Sequence, residues 1–291
     1  MKTAMPVSEC QVERTATEQR FVGGRYFSNS IDHWVDYSKP CESRSVVVMS
    51  GEIKVQQENG IAIVTISRPE KLNAVTYDML KQFEEKVSRL LNDPNIFIVI
   101  FTGEGDKAFS AGFDIDTITT LQEKEYFDFF KLLEKTVGEI RDARNCITIA
   151  AVNGYAVGFG AIVSASCDFR FFSENAAFKL PEIDLSIFPG SGAASGLLRL
   201  VTPSKAKEIL LTGRMIPAVE AKELGIADKI FRQDELMKET LEFARILAEK
   251  DRKILIRTKT LIDAMTGAEL AEAADIESMF TEEWLREKLG E

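Results

Sequence analysis

Two short glycine-containing turns are the parts of this 291-residue chain whose spacing best suits chemistry. Residues 111–113 (AGF) follow one apolar run, and residues 158–160 (GFG) follow another. Each turn stands where a strand gives way to a helix, so each can leave unpaired backbone N–H groups. Two such donors aimed at one point form an oxyanion hole for charge developing on an acyl oxygen. Taken singly, each is more simply explained as an ordinary tight turn.

Histidine chemistry is excluded from the regular part of the chain. The single histidine, His33, lies in an N-terminal stretch without sustained periodicity, where a solvated loop residue is the simplest interpretation. A Ser-His-Asp or Cys-His mechanism therefore has no histidine to use, and a zinc site with histidine ligands is equally unsupported. Proton transfer must fall to carboxylates, lysine or tyrosine, and we expect no metal.

The composition limits the classes of partner that the protein is expected to bind. The net charge of −10 and the pI of about 5.0 argue against a nucleic-acid-binding protein. No apolar run approaches a membrane span, and the first 20 residues lack the apolar core of a secretory signal. We expect a cytoplasmic protein with no nucleic-acid or membrane partner, whose thiols are unpaired because none forms a CxxC motif. The cysteines are Cys10, Cys41, Cys146 and Cys167.

Three regions are predicted along the chain. Residues 1–50 are a polar extension, either disordered in part or docked on the body or on a neighbouring subunit through aromatic side chains. Residues 51–200 alternate strand-like and helix-like patterns, beginning with a hairpin around Asn59-Gly60 and a helix with Leu80 and Phe83 on its apolar side. Residues 201–291 are mostly helical. The alternation predicts an α/β fold.

Five motifs occur in a fixed order between residues 51 and 283, and as a set they resemble the enoyl-CoA hydratase/isomerase (crotonase) superfamily. They are "RPEKLNAVTYDML", "AFSAGFDI", "AVNGYAVGFGA", "CDFRFFSENAAFKLPEIDLSIFPGSG" and "LTGRMIPAVEAKELGIADKI". The resemblance implies a spiral of ββα units with a C-terminal helical region that mediates trimer contacts, giving a trimer or a dimer of trimers. It also implies an acyl-CoA thioester as the substrate. No separate cofactor is expected, because coenzyme A is part of that substrate.

The resemblance also implies roles for individual residues. The oxyanion donors are the backbone N–H groups of Phe113 and Phe159, and Phe159 departs from the glycine usual at that position, so its ring would narrow the acyl pocket beside Ile162. The residues that resemble those lining coenzyme A are Lys71, Leu72, Ala74, Ala111, Asp114 and Ile115. Leu72 and Ala74 are equally explained by packing, and Asp114 by capping the next helix.

The acids decide the predicted reaction. Hydratases of this family use one glutamate after the second glycine turn and another in a "PE" pair, and this chain has Ile162 at the first position and Glu182 at the second. A partly desolvated carboxylate can serve as base and then as acid. One glutamate suffices to move a double bond, so the sequence favours a Δ3,Δ2-enoyl-CoA isomerase with Glu182 as the catalytic residue.

Three alternatives stay open at this point. The first is a hydratase whose second acid is relocated to Asp128, Glu134 or Asp184, the last expected in an extended segment on the same face as Glu182. The second is other enolate chemistry, such as decarboxylation or carbon–carbon bond formation. The third is a non-catalytic member of the family that binds coenzyme A or RNA.

Overall fold

The computed structural model describes residues 21–22, 25–26 and 51–289, and it divides the chain into two units, residues 1–48 and 49–291. In the first unit, Phe21–Val22 (β1) pairs antiparallel with Arg25–Tyr26 (β2). The other predictions for the N-terminal extension, including those for His33, Cys10 and Cys41, lie outside the described residues. Everything below concerns the second unit.

The second unit is built from short strands and helices that alternate along the chain. The strands are Glu52–Glu58 (β3), Ile61–Ser67 (β4), Ile98–Gly103 (β5), Ala108–Ser110 (β6), Ile147–Val152 (β7), Tyr155–Val157 (β8), Phe169–Ser173 (β9), Ala177–Lys179 (β10), Ile216–Pro217 (β11) and Lys229–Phe231 (β12). The helices are Tyr77–Asn92 (α1), Ile115–Thr120 (α2), Glu123–Arg141 (α3), Phe159–Ser166 (α4), Ala193–Leu198 (α5), Pro203–Thr212 (α6), Ala218–Leu224 (α7), Leu236–Ala248 (α8), Arg252–Met265 (α9) and Leu270–Leu289 (α10). Residues 69–71 and 182–185 form 3-10 turns.

Two sheets organise these elements. The larger sheet has the order β12-β9-β7-β5-β4-β3 and is parallel except for the β3–β4 hairpin. The smaller sheet has the order β11-β10-β8-β6, in which β6, β8 and β10 run parallel. The successive pairs β5/β6, β7/β8 and β9/β10 each give one strand to each sheet before the chain enters a helix. This is the spiral of ββα units that the family resemblance implies.

The local patterns explain the elements. Asn59 and Gly60 both have positive φ, at 51° and 78°, as the tight turn between β3 and β4 requires. Helix α1 starts where the Thr76 side chain accepts from the Met79 N–H, and it buries the predicted apolar side, including Leu80 and Phe83. Strands β5 and β7 are buried along their whole length, as expected for strands covered on both faces.

The core lies on both faces of the larger sheet. One cluster packs α1, α3 and α4 against it, and a second cluster packs α8 and α9 on the other side. Cys146 and Cys167 are buried and free, so the prediction of unpaired thiols is confirmed for these two, and burial raises the pKa of the Cys146 thiol to about 11. Among the described residues, no helix combines the length and apolar character that crossing a membrane requires.

Helix α9 is held to the strand starts of the larger sheet by two cations. The Arg252 guanidinium donates to the backbone oxygens of Pro94, Ile96 and Asn145, the last two at distances of 3.1 and 2.9 Å. The Lys259 ammonium lies 2.7 Å from Asp168 Oδ2. These contacts attach α9 to the spiral.

The Lys259–Asp168 pair is largely buried, with side chains 7% and 15% exposed. The Asp168 carboxylate also accepts from the N–H and hydroxyl of Thr148, at 2.8 and 3.0 Å. Removing the lysine leaves a desolvated carboxylate without its cation, and a broken buried pair typically costs several kcal/mol.

We therefore expect Lys259→Met to lower the free energy of unfolding by about 3 kcal/mol, measured as the urea midpoint at an unchanged slope. The control is Lys253→Met, on the same helix, whose ammonium pairs with Glu287 at the surface. An exposed pair contributes below about 1 kcal/mol, so this variant should unfold close to the parent. Equal losses in the two variants would contradict the buried-anchor interpretation.

Candidate active site

The register of the smaller sheet brings the two glycine turns and Glu182 to one edge. Ser110 in β6 lies opposite Ala156 in β8, and Ala156 lies opposite Phe178 in β10. Because the three strands are parallel, residues 111–113, 158–160 and 180–182 all leave the sheet at the same edge. The Gly158 N–H donates to the Lys179 oxygen at 3.0 Å, which holds the second turn against the strand leading to Glu182.

Close approach of the turns explains their glycines. Gly112 has a φ of +98° and Gly158 a φ of +49°, values that L side chains rarely adopt. A Cβ atom on Gly112 would lie 3.2 Å from the Val157 oxygen, and one on Gly158 would lie 3.7 Å from the Gly112 Cα. The two turns therefore approach each other through backbone atoms, and the positive φ angles favour glycine at both positions.

The first turn presents the N–H of Phe113 because its neighbours are bonded elsewhere. The Val75 N–H donates to the Gly112 oxygen at 2.8 Å, and the Asp114 N–H donates to the Val75 oxygen at 2.9 Å. Successive N–H groups of an extended chain point to opposite sides, so the Phe113 N–H faces away from Val75. Within the described residues it has no hydrogen-bond acceptor.

The second turn presents the N–H of Phe159 because this residue is the first of α4. The opening N–H groups of a helix have no acceptor within the helix, and the helix dipole favours negative charge there. No acceptor for the Phe159 N–H occurs in the part of the chain that the structure describes. Every residue of α4 is buried, so this donor is held by a fully packed element.

Glu182 stands at the start of a 3-10 turn with its carboxylate partly withdrawn from water. Its Oε2 is buried and has no hydrogen-bond partner in the described part of the chain. Desolvation raises the pKa of the Glu182 carboxyl above its ordinary value of 4.5, and the backbone N–H of the same residue opposes this only in part. Such a carboxyl is suited to accept a proton and to give it back.

The candidate replacement acids have other surroundings. Asp184 was expected in an extended segment on the same face as Glu182, but that expectation is wrong because residues 182–185 form a 3-10 turn. Asp184 Oδ2 instead lies 2.9 Å from the Lys179 ammonium. Asp128 and Glu134 are exposed on α3, as solvated charges of a surface helix would be.

The position at which the family resemblance predicts a first glutamate is filled by hydrocarbon. Ile162 is 5% exposed on α4. Its Cγ2 lies 3.4 Å from where a Cβ on Gly192 would stand, and Val137 of α3 approaches the same point. Gly192 has a φ of +97°. The absence of a side chain there accommodates Ile162 and Val137, both of which belong to the main core cluster.

The segments predicted to bind coenzyme A lie side by side. The Ala111 N–H donates to the Leu72 oxygen at 2.9 Å, which joins residues 71–74 to residues 111–115. Lys71 is exposed, and Leu72 and Ile115 expose 39% and 74% of their surface. The structure thus brings this predicted set together beside the first turn, and its role in binding coenzyme A stays a prediction.

The Asp114 carboxylate accepts hydrogen bonds from other groups of the chain. Its carboxylate caps α2 by accepting from the Asp116 N–H at 3.0 Å, which confirms the capping interpretation. It also accepts from the Arg68 guanidinium, and this hydrogen bond is the main cause that holds the pKa of Asp114 below its ordinary value. Arg68 donates in addition to the Ala74 oxygen at 3.3 Å, so it fastens both predicted coenzyme A segments.

Sequence reasoning assigned no role to Arg68 or to two buried polar residues near it. The Asn73 amide donates to the Ala108 oxygen at 2.7 Å, and the Ser110 hydroxyl donates to the Asn73 oxygen at 2.8 Å. Ser110 Oγ also accepts from the Gly112 N–H at 3.2 Å. The available signal was a polar residue inside the apolar stretch "AFSAG", which indicates a hydrogen-bonding duty when it is buried.

Comparisons with known proteins agree with this arrangement. The family model for enoyl-CoA hydratase/isomerase matches residues 56–289. The crotonyl-CoA hydratase of Syntrophomonas wolfei is 34% identical over 226 residues, covering 78% of this chain and 86% of its own. The short-chain-enoyl-CoA hydratase of Clostridium acetobutylicum is 38% identical over 200 residues, which cover 65% of this chain and 72% of the relative.

Solved structures agree as well. The crystal structure of an enoyl-CoA hydratase from Bacillus anthracis superposes with a TM-score of 0.75 at 28% identity, over 79% of this chain and 89% of the other. A putative enoyl-CoA hydratase from Thermobifida fusca, solved in complex with CoA, superposes with a TM-score of 0.74 at 26% identity. The match covers 82% of this chain and 95% of the other.

The raised pKa of Glu182 predicts how stability depends on pH. A carboxyl with a higher pKa in the folded than in the unfolded chain stabilises the fold fully only below its unfolded pKa, near 4.5. That contribution is lost as the pH rises through the folded pKa. We expect Glu182→Gln to melt increasingly above the parent as the pH rises from 4.5 to 8, measured by thermal unfolding at each pH.

Asp114→Asn is the control, and its expected change in melting temperature has the opposite sign. Its pKa is lowered, so its contribution is present above its unfolded value of 3.8 and is lost only on further acidification. This variant should melt below the parent by a constant amount between pH 5 and 8. A Glu182→Gln melting temperature that tracks the parent across the range would rule out a desolvated carboxylate.

Proposed function

Since the chain belongs to the enoyl-CoA hydratase/isomerase family, we propose that it is a Δ3,Δ2-enoyl-CoA isomerase that acts with a single glutamate. The observation that carries this proposal is the asymmetry of the acids. Glu182 is a desolvated carboxylate with an unpartnered oxygen, whereas Ile162 fills the other acid position with packed hydrocarbon. An acyl-CoA thioester is the substrate class that the family membership supports.

The two turns are proposed to polarise the thioester carbonyl. Removing a proton from C2 of a 3-enoyl thioester places negative charge on the thioester oxygen. The N–H groups of Phe113 and Phe159 would both donate to that oxygen, and each preorganised donor is worth about 3–4 kcal/mol in such sites. Since the donors are backbone groups on packed elements, they need little rearrangement as the charge develops.

Glu182 is proposed to carry the proton in both steps. Its carboxylate takes the proton from C2, and the electron pair of that bond enters the conjugated dienolate. The resulting carboxylic acid then gives the proton to C4, and the double bond moves from C3–C4 to C2–C3. No atom is gained or lost, so the reaction requires neither a second acid nor a cofactor. A raised pKa keeps both protonation states accessible.

A hydratase is the second candidate, because the curated relatives named above are hydratases. Hydration requires a water to be activated at C3 and a proton to be delivered at C2. With one carboxylate, Glu182 would have to serve both atoms, or a second acid would have to approach from elsewhere. The 2.9 Å ion pair of Asp184 with Lys179 disfavours the nearest such acid in sequence.

We also propose that the chain assembles as a trimer or a dimer of trimers. The C-terminal helices leave large apolar side chains exposed on one chain, among them Ile262 at 56% and Met279 at 69%. Burying such surface favours association. Light scattering should give the mass of three or six chains, and a monomer at micromolar concentration would contradict this proposal. The cytoplasmic location stays a prediction.

The deciding experiment supplies trans-3-enoyl-CoA of several chain lengths in heavy water, with products identified by mass and NMR. We expect 2-enoyl-CoA from the parent and a loss of roughly 100-fold or more in kcat for Glu182→Gln, the scale of removing a general acid-base. Asp184→Asn is the matched control, two residues away, and should keep the parental rate within about twofold, since an exposed ion pair contributes little.

Other outcomes assign other chemistry. Conversion of 2-enoyl-CoA to a 3-hydroxyacyl product would make the protein a hydratase, and loss of that activity in Asp184→Asn would identify the relocated acid. Deuterium entering the acyl chain without a shifted double bond would indicate other enolate chemistry. Stabilisation by coenzyme A without turnover or exchange would leave a binding protein.

A further inference from the structure

We propose that the Phe159 side chain is a positioning residue, whose ring sets the separation of the two oxyanion donors by packing on the ring of Phe113. The inference rests on the proposed role of the two N–H groups, and it deepens that role. Phe159 occupies a turn position at which the family that this chain resembles usually has glycine. That its ring narrows the acyl pocket stays a prediction, and the ring contacts support a positioning role in addition.

The Phe159 ring lies inside the protein. It is 1% exposed, its centroid lies 5.1 Å from that of Phe113 at an interplanar angle of 47°, and it meets Phe83 edge-on at 5.4 Å. Phe113 in turn meets Phe129 at 4.7 Å. The four rings form an aromatic row, Phe83–Phe159–Phe113–Phe129, in which the two central residues carry the donors.

The two ends of the aromatic row belong to helices α1 and α3. Phe83 belongs to α1 and Phe129 to α3, and both side chains are fully buried. Helices α1 and α3 pack on each other. The central rings are therefore held between two rigid supports, and movement of one ring along the row meets the other.

No backbone hydrogen bond between the two turns fixes the distance between the donors in the described part of the chain. The pairing of β6 with β8 ends at Ser110 and Ala156 and is irregular before that point. Within the described residues, no backbone hydrogen bond joins residues 111–113 to residues 158–160. The first turn is bonded to Val75 and the second to Lys179, on opposite sides. Gly112 approaches Val157 and Gly158 through backbone atoms, and the ring contact is the direct side-chain link between the two donor-bearing residues themselves.

Replacing Phe159 by glycine would remove this link and leave an apolar void bounded by Phe83 and Phe113. The turn would also gain backbone freedom, because glycine admits more conformations. A donor displaced by about 1 Å costs on the order of 100-fold in rate in well-positioned sites.

The test separates donor geometry from turnover and from stability. The probe is hexanoyl-CoA labelled with ¹³C at the thioester carbonyl, a saturated ligand that can be neither isomerised nor hydrated. Infrared spectra of the bound probe report hydrogen bonding to the oxygen as a downward shift of the carbonyl stretch. The kcat and KM for trans-3-enoyl-CoA and the melting temperature are measured on the same preparations.

Three variants are compared with the parent. Phe159→Gly should lose most of the carbonyl shift and roughly 10- to 100-fold in kcat, with little change in KM. Phe159→Leu keeps most of the volume and should retain much of the shift. Phe172→Leu is the control, because Phe172 is fully buried in the same core cluster but makes none of these ring contacts. It should lower the melting temperature and leave the shift intact.

Two results in the variants would overturn the inference. One is a parental carbonyl shift in Phe159→Gly, and the other is an equal loss of shift in Phe172→Leu, which would mark a general effect of core damage. A bound parent without any shift would also overturn it, because the donors would not meet the oxygen. A parental shift that only Phe159→Gly loses, in a protein without isomerase turnover, would support the inference while refuting the isomerase.

Discussion

The parallel register of β6, β8 and β10 is the constraint on which the rest of the site depends. Three chain segments far apart in sequence leave one sheet edge at neighbouring positions only because their strands run in the same direction and in step. A register slip in β8 would carry residues 158–160 away from residues 111–113 and from Glu182. The glycines at the two turns then allow backbone atoms to meet where side chains would keep them apart.

Polar groups placed in the interior hold that edge in shape. Asn73, Ser110 and Arg68 donate to backbone oxygens of β6 and of residues 73–74 beside the first turn, which satisfies groups that burial would otherwise leave unpaired. Glu182 is not satisfied in this way, because its Oε2 is one of seven buried side-chain atoms that lack a hydrogen-bond partner among the described residues. At Glu182 this desolvation disfavours the charged carboxylate and raises the pKa of the proposed proton carrier.

Much of the fold was predictable because its signals are local. The hairpin follows from Asn59-Gly60, helix α1 from the spacing of its apolar residues, and the buried strands from continuous apolar runs. The family resemblance supplied the spiral and placed the turns and Glu182. The duty of Arg68 was not predictable, since a guanidinium binds whatever acceptors the fold brings to it. The same holds for the ring of Phe159, whose neighbours come from α1 and from the other turn.

The attachment of α9 has a consequence for the order in which the protein folds. Arg252 finds its three backbone oxygens only after residues 94–96 and 145 have been brought together by the pairing of β5 with β7. Those acceptors lie more than 100 residues earlier in the chain. During synthesis the sheet can therefore mature while the C-terminal helices are still being made. The last helices then dock on a surface that exists only in a correctly wound spiral, so their attachment acts as a check on assembly.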